Sequence, residues 1–383
     1  ESTGGINIGN VGGIKGVLTN GSVNLTSTDG NIGVTEVLNA GSGNISLVAD
    51  NAGIDLQSDV IGADVTLDST QKITYRAGEI QATKLAVKAD SVDSLNIAQL
   101  DTLAVNLTGE GAGFTYQAES GFTIGAVGNQ SGVTTQGGAV QLTSMTGDLT
   151  VASTIDVGAG DISLLSKDLV LELGTMLQGS GSLNIAPTVT SAPIYIGYTN
   201  NALGYDLSES ELAQIGSGFT GINIGQVGVG SHVINLQSTT FNNALTLNAS
   251  AVGGEIHVLG DLIVKNGSFT VNGSGSTTYL SGNVITEGTD IIINDRVILE
   301  KDIEINSGGG NIQLSSVVEG AFDLLINAAT GSVALAGDME VKGLGIDAAA
   351  VSSVTSNTNQ ELAVRLTGAD ALLDYNNTKV VTI

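Results

Sequence analysis

Apolar and polar residues alternate with a period of two in short runs along the whole chain. Asn44-Ile45-Ser46-Leu47-Val48, Ile54-Asp55-Leu56, Val65-Thr66-Leu67, Leu149-Thr150-Val151, Ile162-Ser163-Leu164, Leu183-Asn184-Ile185, Leu245-Thr246-Leu247, Ile312-Gln313-Leu314 and Val333-Ala334-Leu335 are examples. A period of two is that of a strand with one buried face. The runs are separated by Gly, Asn, Asp and Ser clusters and follow one another at roughly 8 to 14 residue intervals, with no helical periodicity between them. Hairpin sheets and solenoids share this local pattern, so long-range repetition has to separate them.

Repetition is present at two lengths. Ile8-Gly9-Asn10-Val11-Gly12, Ile124-Gly125-Ala126-Val127-Gly128 and Ile224-Gly225-Gln226-Val227-Gly228 share the pattern Ile-Gly-x-Val-Gly. Each precedes a strand that ends alike, in Leu25-Thr26-Ser27, Leu142-Thr143-Ser144 and Leu236-Gln237-Ser238. A longer echo matches Leu103-Ala104-Val105-Asn106-Leu107-Thr108-Gly109 to Leu362-Ala363-Val364-Arg365-Leu366-Thr367-Gly368, an offset of 362 − 103 = 259. At that offset Leu85, Val87, Ala89 and Val92 fall on Leu344, Ile346, Ala348 and Val351. The chain therefore reads as one elongated solenoid, residues 1–383, of three unequal super-repeats near 6–123, 124–221 and 222–383.

Short aliphatic strands with Gly/Asn turns and irregular repeats suit an all-β fold, a right-handed parallel β-helix. Each coil of about 20 residues cannot bury its own inner face and does so only by stacking. Some 19 coils are expected, at about 4.8 Å each a rod near 90 Å long, with Leu25, Leu47, Leu142, Leu164, Leu236 and Leu314 in one continuous core. The one irregular stretch surrounds Pro187 and Pro193. There Ser208-Glu209-Ser210-Glu211 fits a capping box and Gly216 a helix end, which predicts one short lateral helix near 208–215.

Composition sharpens the picture. The chain has 38 acidic against 12 basic side chains, a net charge of −26, which disfavours nucleic acid and anionic membranes as partners. Cys is absent, which removes disulfides, thiolate metal sites and thiol nucleophiles. No apolar run approaches the roughly 18 residues that span a bilayer, so no transmembrane segment is expected. Glu1-Ser2-Thr3 lacks the basic and apolar regions of a signal peptide, so the expectation is a processed chain or a fragment. The 259-residue offset also places Ile383 on Ile124, where a fourth super-repeat is expected to open with Gly and then Val-Gly.

The phrase Tyr205-Asp206-Leu207-Ser208-Glu209-Ser210-Glu211-Leu212-Ala213-Gln214-Ile215, followed by Gly218-Phe219 and Ile222-Asn223-Ile224-Gly225, resembles a helix-then-strand unit of the filamentous-haemagglutinin-like exoproteins of bacteria. These are two-partner-secretion proteins exported as β-helical rods. Their secretion domain carries Asn-Pro motifs, whereas both prolines here follow Ala, at Ala186 and Ala192, so that domain is not represented. The resemblance implies an extracellular, secreted or cell-surface, structural or adhesive segment. Its partners would be cell-surface or matrix glycans and proteins, or further copies of itself; no binding residue carries over.

Candidate chemistry is sparse. The two histidines, His232 beside a Gly-rich turn and His257 between Ile256 and Val258 on a strand, are expected at surface or turn positions. Gly158-Ala159-Gly160-Asp161-Ile162 is similar to one turn of a calcium-binding roll, but no tandem copy follows. Asp302, Glu304 and Asn306 share one face of a strand and are read as a solvated outer face rather than a calcium site. Tyr195, Tyr198 and Tyr205 form either a shelf for sugar rings or, as preferred, a cover for the core edge. Between Ala89 and Val264 there are 15 acidic residues and one base, Lys167, which argues for a repelling surface over the cleft of a polysaccharide-active enzyme. No catalytic, cofactor-binding or metal-binding residue is assigned, and the chain is expected not to be an enzyme. A structural or adhesive role is the leading expectation, ahead of a fibre subunit stacking end to end.

Overall fold

The computed structural model describes residues 1–199, 204–273, 275–356, 360–369 and 371–377. They form an all-β parallel β-solenoid of about 17 turns, close to the 19 expected, with almost no helix. The chain divides into two compact units, Glu1–Ser182 with Gln214–Gly218, and Leu183–Ala213 with Phe219–Ile383.

In the first unit a representative turn runs through Ile45–Ala49, Ile54–Leu56 and Val60–Ile61, one strand for each of three faces. The next turn, Asp64–Ser69, Ile73–Tyr75 and Ile80–Gln81, lies directly on it in parallel. The alternation sends Ile45, Leu47 and Ala49 inward and leaves Ser46 and Val48 on the outer side. Because register is exact, inward residues stack on inward residues. One such ladder runs Leu47, Leu67, Val87, Val105, Val133, Ile155, Leu177, all fully buried. Burying each of these side chains is worth about 1.5–3 kcal/mol, and each is sealed only by the turns on either side.

The second unit repeats the plan. Val233–Leu236, Thr239–Phe241 and Leu245–Asn248 are followed in register by Glu255–Val258, Leu262–Val264 and Phe269–Asn272. Ile222, Leu245, Phe269, Ile291, Ile312 and Val333 make a buried ladder. Farther along, Val318–Asn327 passes from one face to the next without leaving the ladder, bending at Gly320 where the register with Met339–Ala348 shifts. Of the six leucines expected in the core, Leu47, Leu142, Leu164, Leu236 and Leu314 are buried and Leu25 is partly exposed. Leu25 stacks on Leu47 in one ladder and Leu142 on Leu164 in another, while Leu236 lies on a third face.

Corners are closed by short polar side chains. Buried Ser144 donates to the Gly147 carbonyl at 2.7 Å and Thr135 to the Gly138 carbonyl at 2.7 Å, each satisfying an acceptor three residues on. Ser27 and Ser144, the shared strand ends seen in the sequence, both act this way, whereas Ser238 is exposed. The helix is real but shorter than expected, Glu209–Leu212, with Ser208 as N-cap and the reciprocal Ser208–Glu211 capping box in place. It does not reach Ile215 or end at Gly216. Those residues rejoin the strand ladder, the Gln214 carbonyl accepting from Leu177 N at 2.9 Å and Gly216 N donating to the Leu177 carbonyl at 2.9 Å. The expected continuation at Ile383 lies outside the described residues.

Leu247 sits between Ile224 and Val271 in the buried ladder, while Thr246 faces outward. Leu247→Ala is expected to lower unfolding free energy by about 2–5 kcal/mol and Thr246→Ala by no more than about 0.5 kcal/mol, read from urea midpoints. Equal costs at the two positions would contradict the inward ladder.

Candidate interaction surface

The residues singled out in the sequence resolve mainly into structural roles. His232 does adjoin the Gly-rich turn, but it is fully buried, a correction to the surface alternative expected for it. Its Nδ1 lies 2.9 Å from the Ala192 carbonyl and its Nε2 accepts from Gln226 N at 3.2 Å, so the neutral ring with the proton on Nδ1 satisfies both contacts. Burial pushes its pKa below the ordinary 6.5. His257 does face outward, stacked on Tyr279 at 4.5 Å with Nε2 2.9 Å from Glu255 Oε2. Tyr195 and Tyr198 meet edge to face at 5.4 Å, but Tyr205 is buried beneath the ladder opposite Ile194, so the three do not make one shelf.

The carboxylates show a pattern that the sequence did not reveal. Asp161 Oδ1 accepts from Ser182 N at 2.6 Å, one turn later. Asp302 Oδ1 accepts from Asp323 N at 2.9 Å, and Asp261 accepts from Asn283 N at 2.9 Å while Asn283 accepts from Glu304 N at 2.8 Å. A second line runs from Asp290 to Asn311 N, 2.7 Å, and from Asn311 to Ser332 N, 2.9 Å. Asp and Asn at recurring corners thus bind the backbone of the following turn. Glu304 accepts from Asn306 Nδ2 at 2.9 Å, which absorbs the Asp302, Glu304 and Asn306 face into the same scaffold. Among the described residues no group of three or more His, Cys, Asp or Glu is placed to hold a metal ion. Asp295, not anticipated, is buried with its carboxylate accepting from Ser276 Oγ at 3.0 Å and Thr278 Oγ1 at 2.9 Å, and burial raises its pKa.

The three Ile-Gly-x-Val-Gly motifs prove to be one ten-residue device. Gly9 to Gly16 and Gly125 to Gly132 have equal spacing, and a Val follows each, Val17 and Val133. Between the glycines the chain leaves its face as a small antiparallel hairpin, Asn10–Val11 with Ile14–Lys15, and Ala126–Val127 with Gln130–Ser131. Gly16 and Gly132 close the two hairpins with φ of +67° and +72°. A Cβ there would lie 2.1 Å from the carbonyl oxygen of Val37 or Thr154, so only glycine fits. In the third copy His232 stands where that glycine would be, before Val233, and the segment forms a compact turn held by the ring instead of a hairpin. The matched spacing was the available signal for this, and it extends beyond the five residues first recognised.

The second hairpin folds back over the outer side of the preceding turns. Val127 is 2% exposed and packs with Ala86 and Ala104, neighbours in register on Lys84–Ala89 and Thr102–Glu110. Thr66 is next in that row. The residues 259 positions later, Leu325, Gly345 and Ala363, form an equivalent register row in the second unit. Over them lies an open groove of about 550 Å³, lined also by Leu344 and Leu362 and rimmed by Asp302, Glu304, Asp323 and Glu361. The first hairpin, by contrast, presents its apolar pair to solvent, Val11 at 80% and Ile14 at 79% exposure.

Comparison with protein-family models, with curated proteins and with solved structures finds no match. Among the described residues no helix is long and apolar enough to cross a membrane.

His232 and Asp295 make opposite contributions to pH stability. His232 holds a folded pKa below 6.5, so its contribution is intact above 6.5 and is lost as pH falls from there toward the folded value. Asp295 holds a folded pKa above 3.8, so its contribution weakens as pH rises above 3.8 through the folded value. Hydrogen exchange at the Gln226 amide, corrected for intrinsic rate, should accelerate from pH 7 to pH 5, and His232→Gln should flatten that dependence. An unchanged slope in the variant would remove His232 as its cause.

Proposed function

We propose that this chain is a structural and adhesive segment of a secreted bacterial surface protein, non-catalytic, with cell-surface or matrix glycans and proteins as its partners. The observation that carries the reading is the sustained parallel stacking of the ladders in both units. Residues that face inward are sealed turn by turn, and corner Asp and Asn side chains bind the next turn, so most sequence complexity is spent on a continuous scaffold. The resemblance of residues 205–225 to filamentous-haemagglutinin-like exoproteins supports the same reading and supplies its extracellular setting.

Charge supports a spacer that keeps neighbours apart. Among the described residues, eight bases pair with acids on adjacent strands or turns, as in Lys72–Asp93 at 2.6 Å, Arg76–Asp55 at 3.0 Å and Lys88–Asp68 at 3.0 Å. With 38 acids to 12 bases, these exposed pairs leave a large uncompensated negative surface.

The setting is tested by immunolabelling intact producing cells with antibodies to the 383-residue chain. Label on intact cells is expected, and label only after lysis would overturn the proposal. Lateral association, followed by light scattering, should rise as salt is increased through about 0.1 M, where screening shortens the repulsion to about 10 Å. Scattering that falls with added salt would contradict the repelling surface.

A further inference from the structure

We propose that the groove over Leu325, Gly345 and Ala363 receives the hairpin Asn10–Lys15 of a second copy of the chain. The molecule already shows what such a row accepts. Its counterpart, Thr66, Ala86 and Ala104, is covered by the hairpin Ala126–Ser131, with Val127 seated on the two alanines and the space above Gly128 closing toward Thr66. Small outward side chains let the hairpin approach the sheet closely; Gly345 and Ala363 keep this property where Ala86 and Ala104 stand, while Leu325 sets an apolar side chain in place of Thr66. A Cβ on Gly345 would meet Leu325 Cδ1 at 3.1 Å and its nearest backbone atom, the Leu324 carbonyl oxygen, only at 3.8 Å, so the Leu325 side chain rather than backbone borders the groove there.

The first hairpin has the matching form. Val11 and Ile14 are cross-strand partners, as Val127 and Gln130 are, and closing Gly16 repeats closing Gly132. Replacing Gln130 by Ile14 makes this hairpin the more apolar of the two, yet it is the one left in solvent. Leu325 and Leu362 are exposed in the groove as well, so both surfaces bear apolar area that association removes from water.

Charge selects the same pairing. Lys15 is one of 12 bases in a chain of 38 acids, and it lies on the hairpin itself. Its own partner, Glu36, is 3.7 Å away and the Lys15 side chain is 65% exposed, which leaves the ammonium free to reach the rim. That rim carries Asp302, Glu304, Asp323 and Glu361, with Lys342 beside Asp323 at 3.3 Å as the opposing cation. The corresponding place on the covered row has Lys84 opposite Asp64, and its hairpin carries no base. The more acidic groove is thus complementary in charge to the hairpin that carries a lysine.

The absence of native cysteine allows a direct test on the full chain. Val11→Cys and Ala363→Cys proteins, one carrying a size tag, are mixed and mildly oxidised, with Thr246→Cys as the outward control. Disulfide between the 11 and 363 variants should form at least ten-fold faster than between the 11 and 246 variants. Without cysteine substitution, the mass in sedimentation should rise with concentration, and Val11→Asp or Lys15→Glu should suppress the rise, both positions being exposed enough to spare the fold. Equal cross-linking rates, or a chain that stays monomeric at the highest concentration, would overturn the proposal. The contact should weaken with salt, because Lys15 meets carboxylates, whereas lateral association strengthens; the two results therefore stand or fall separately. Association that survives Val11→Asp would assign it to another surface and reject the hairpin.

Discussion

Parallel register at a step of about 20 residues is the constraint on which every other feature depends. A strand such as Asp64–Ser69 has no inner neighbours of its own; Val65 and Leu67 are dry because Ile45 and Leu47 lie on one side and Leu85 and Val87 on the other. A slip by one residue would turn Thr66 and Asp68 inward and expose both aliphatics. Chain length per turn is consequently held at about 20 residues, and a longer insertion is accommodated by leaving the face altogether. The hairpin Ala126–Ser131 does so between Ile124 and Val133, both of which remain in register, on Leu103 and Val105.

That constraint explains which parts of the structure were legible in the sequence. Inward positions announce themselves by alternation, and Leu47, Leu142, Leu164, Leu236 and Leu314 fall inside as the pattern requires. The capping box at Ser208 is likewise a local signal, and it is present. Its helix is cut short because a non-local demand wins: Ile215 pairs with Leu177, a partner 38 residues earlier, and a helix running to Gly216 would sacrifice that bridge. His232 was misplaced for a related reason. A polar residue beside glycines looks like a surface turn until the Ala192 carbonyl, 40 residues away, is seen to meet its ring.

Outward positions carry less local information, and there the candidate surface was hidden. Ala86 and Ala104 are unremarkable in sequence, since alanine on an outer face could simply be solvated. Only their register, Ala86 on Ala104, makes them a row, and only the hairpin from 124 to 132 gives the row a purpose. The 259-residue echo did detect the two strands of the second row, Leu344 to Ala348 and Leu362 to Leu366, through their inward aliphatics. It was silent on Gly345, which has no side chain to align and which matters for that very reason.

The acidic character follows from the same geometry. Asp and Asn are suited to a corner because a short side chain can accept the N–H of the turn above, as Asp261, Asp290 and Asp302 do. Asn performs that bond without charge, and Asn283 and Asn311 occupy the next turn after Asp261 and Asp290. Where Asn follows Asp, as at Asp261–Asn283 and Asp290–Asn311, the next corner bond is made without a second charge, although Asp302 is followed directly by Asp323. A surface so constituted resists sideways contact, and an attractive contact must then be built locally, from an apolar patch and a rare base; Val11, Ile14 and Lys15 are that combination on a single two-stranded turn.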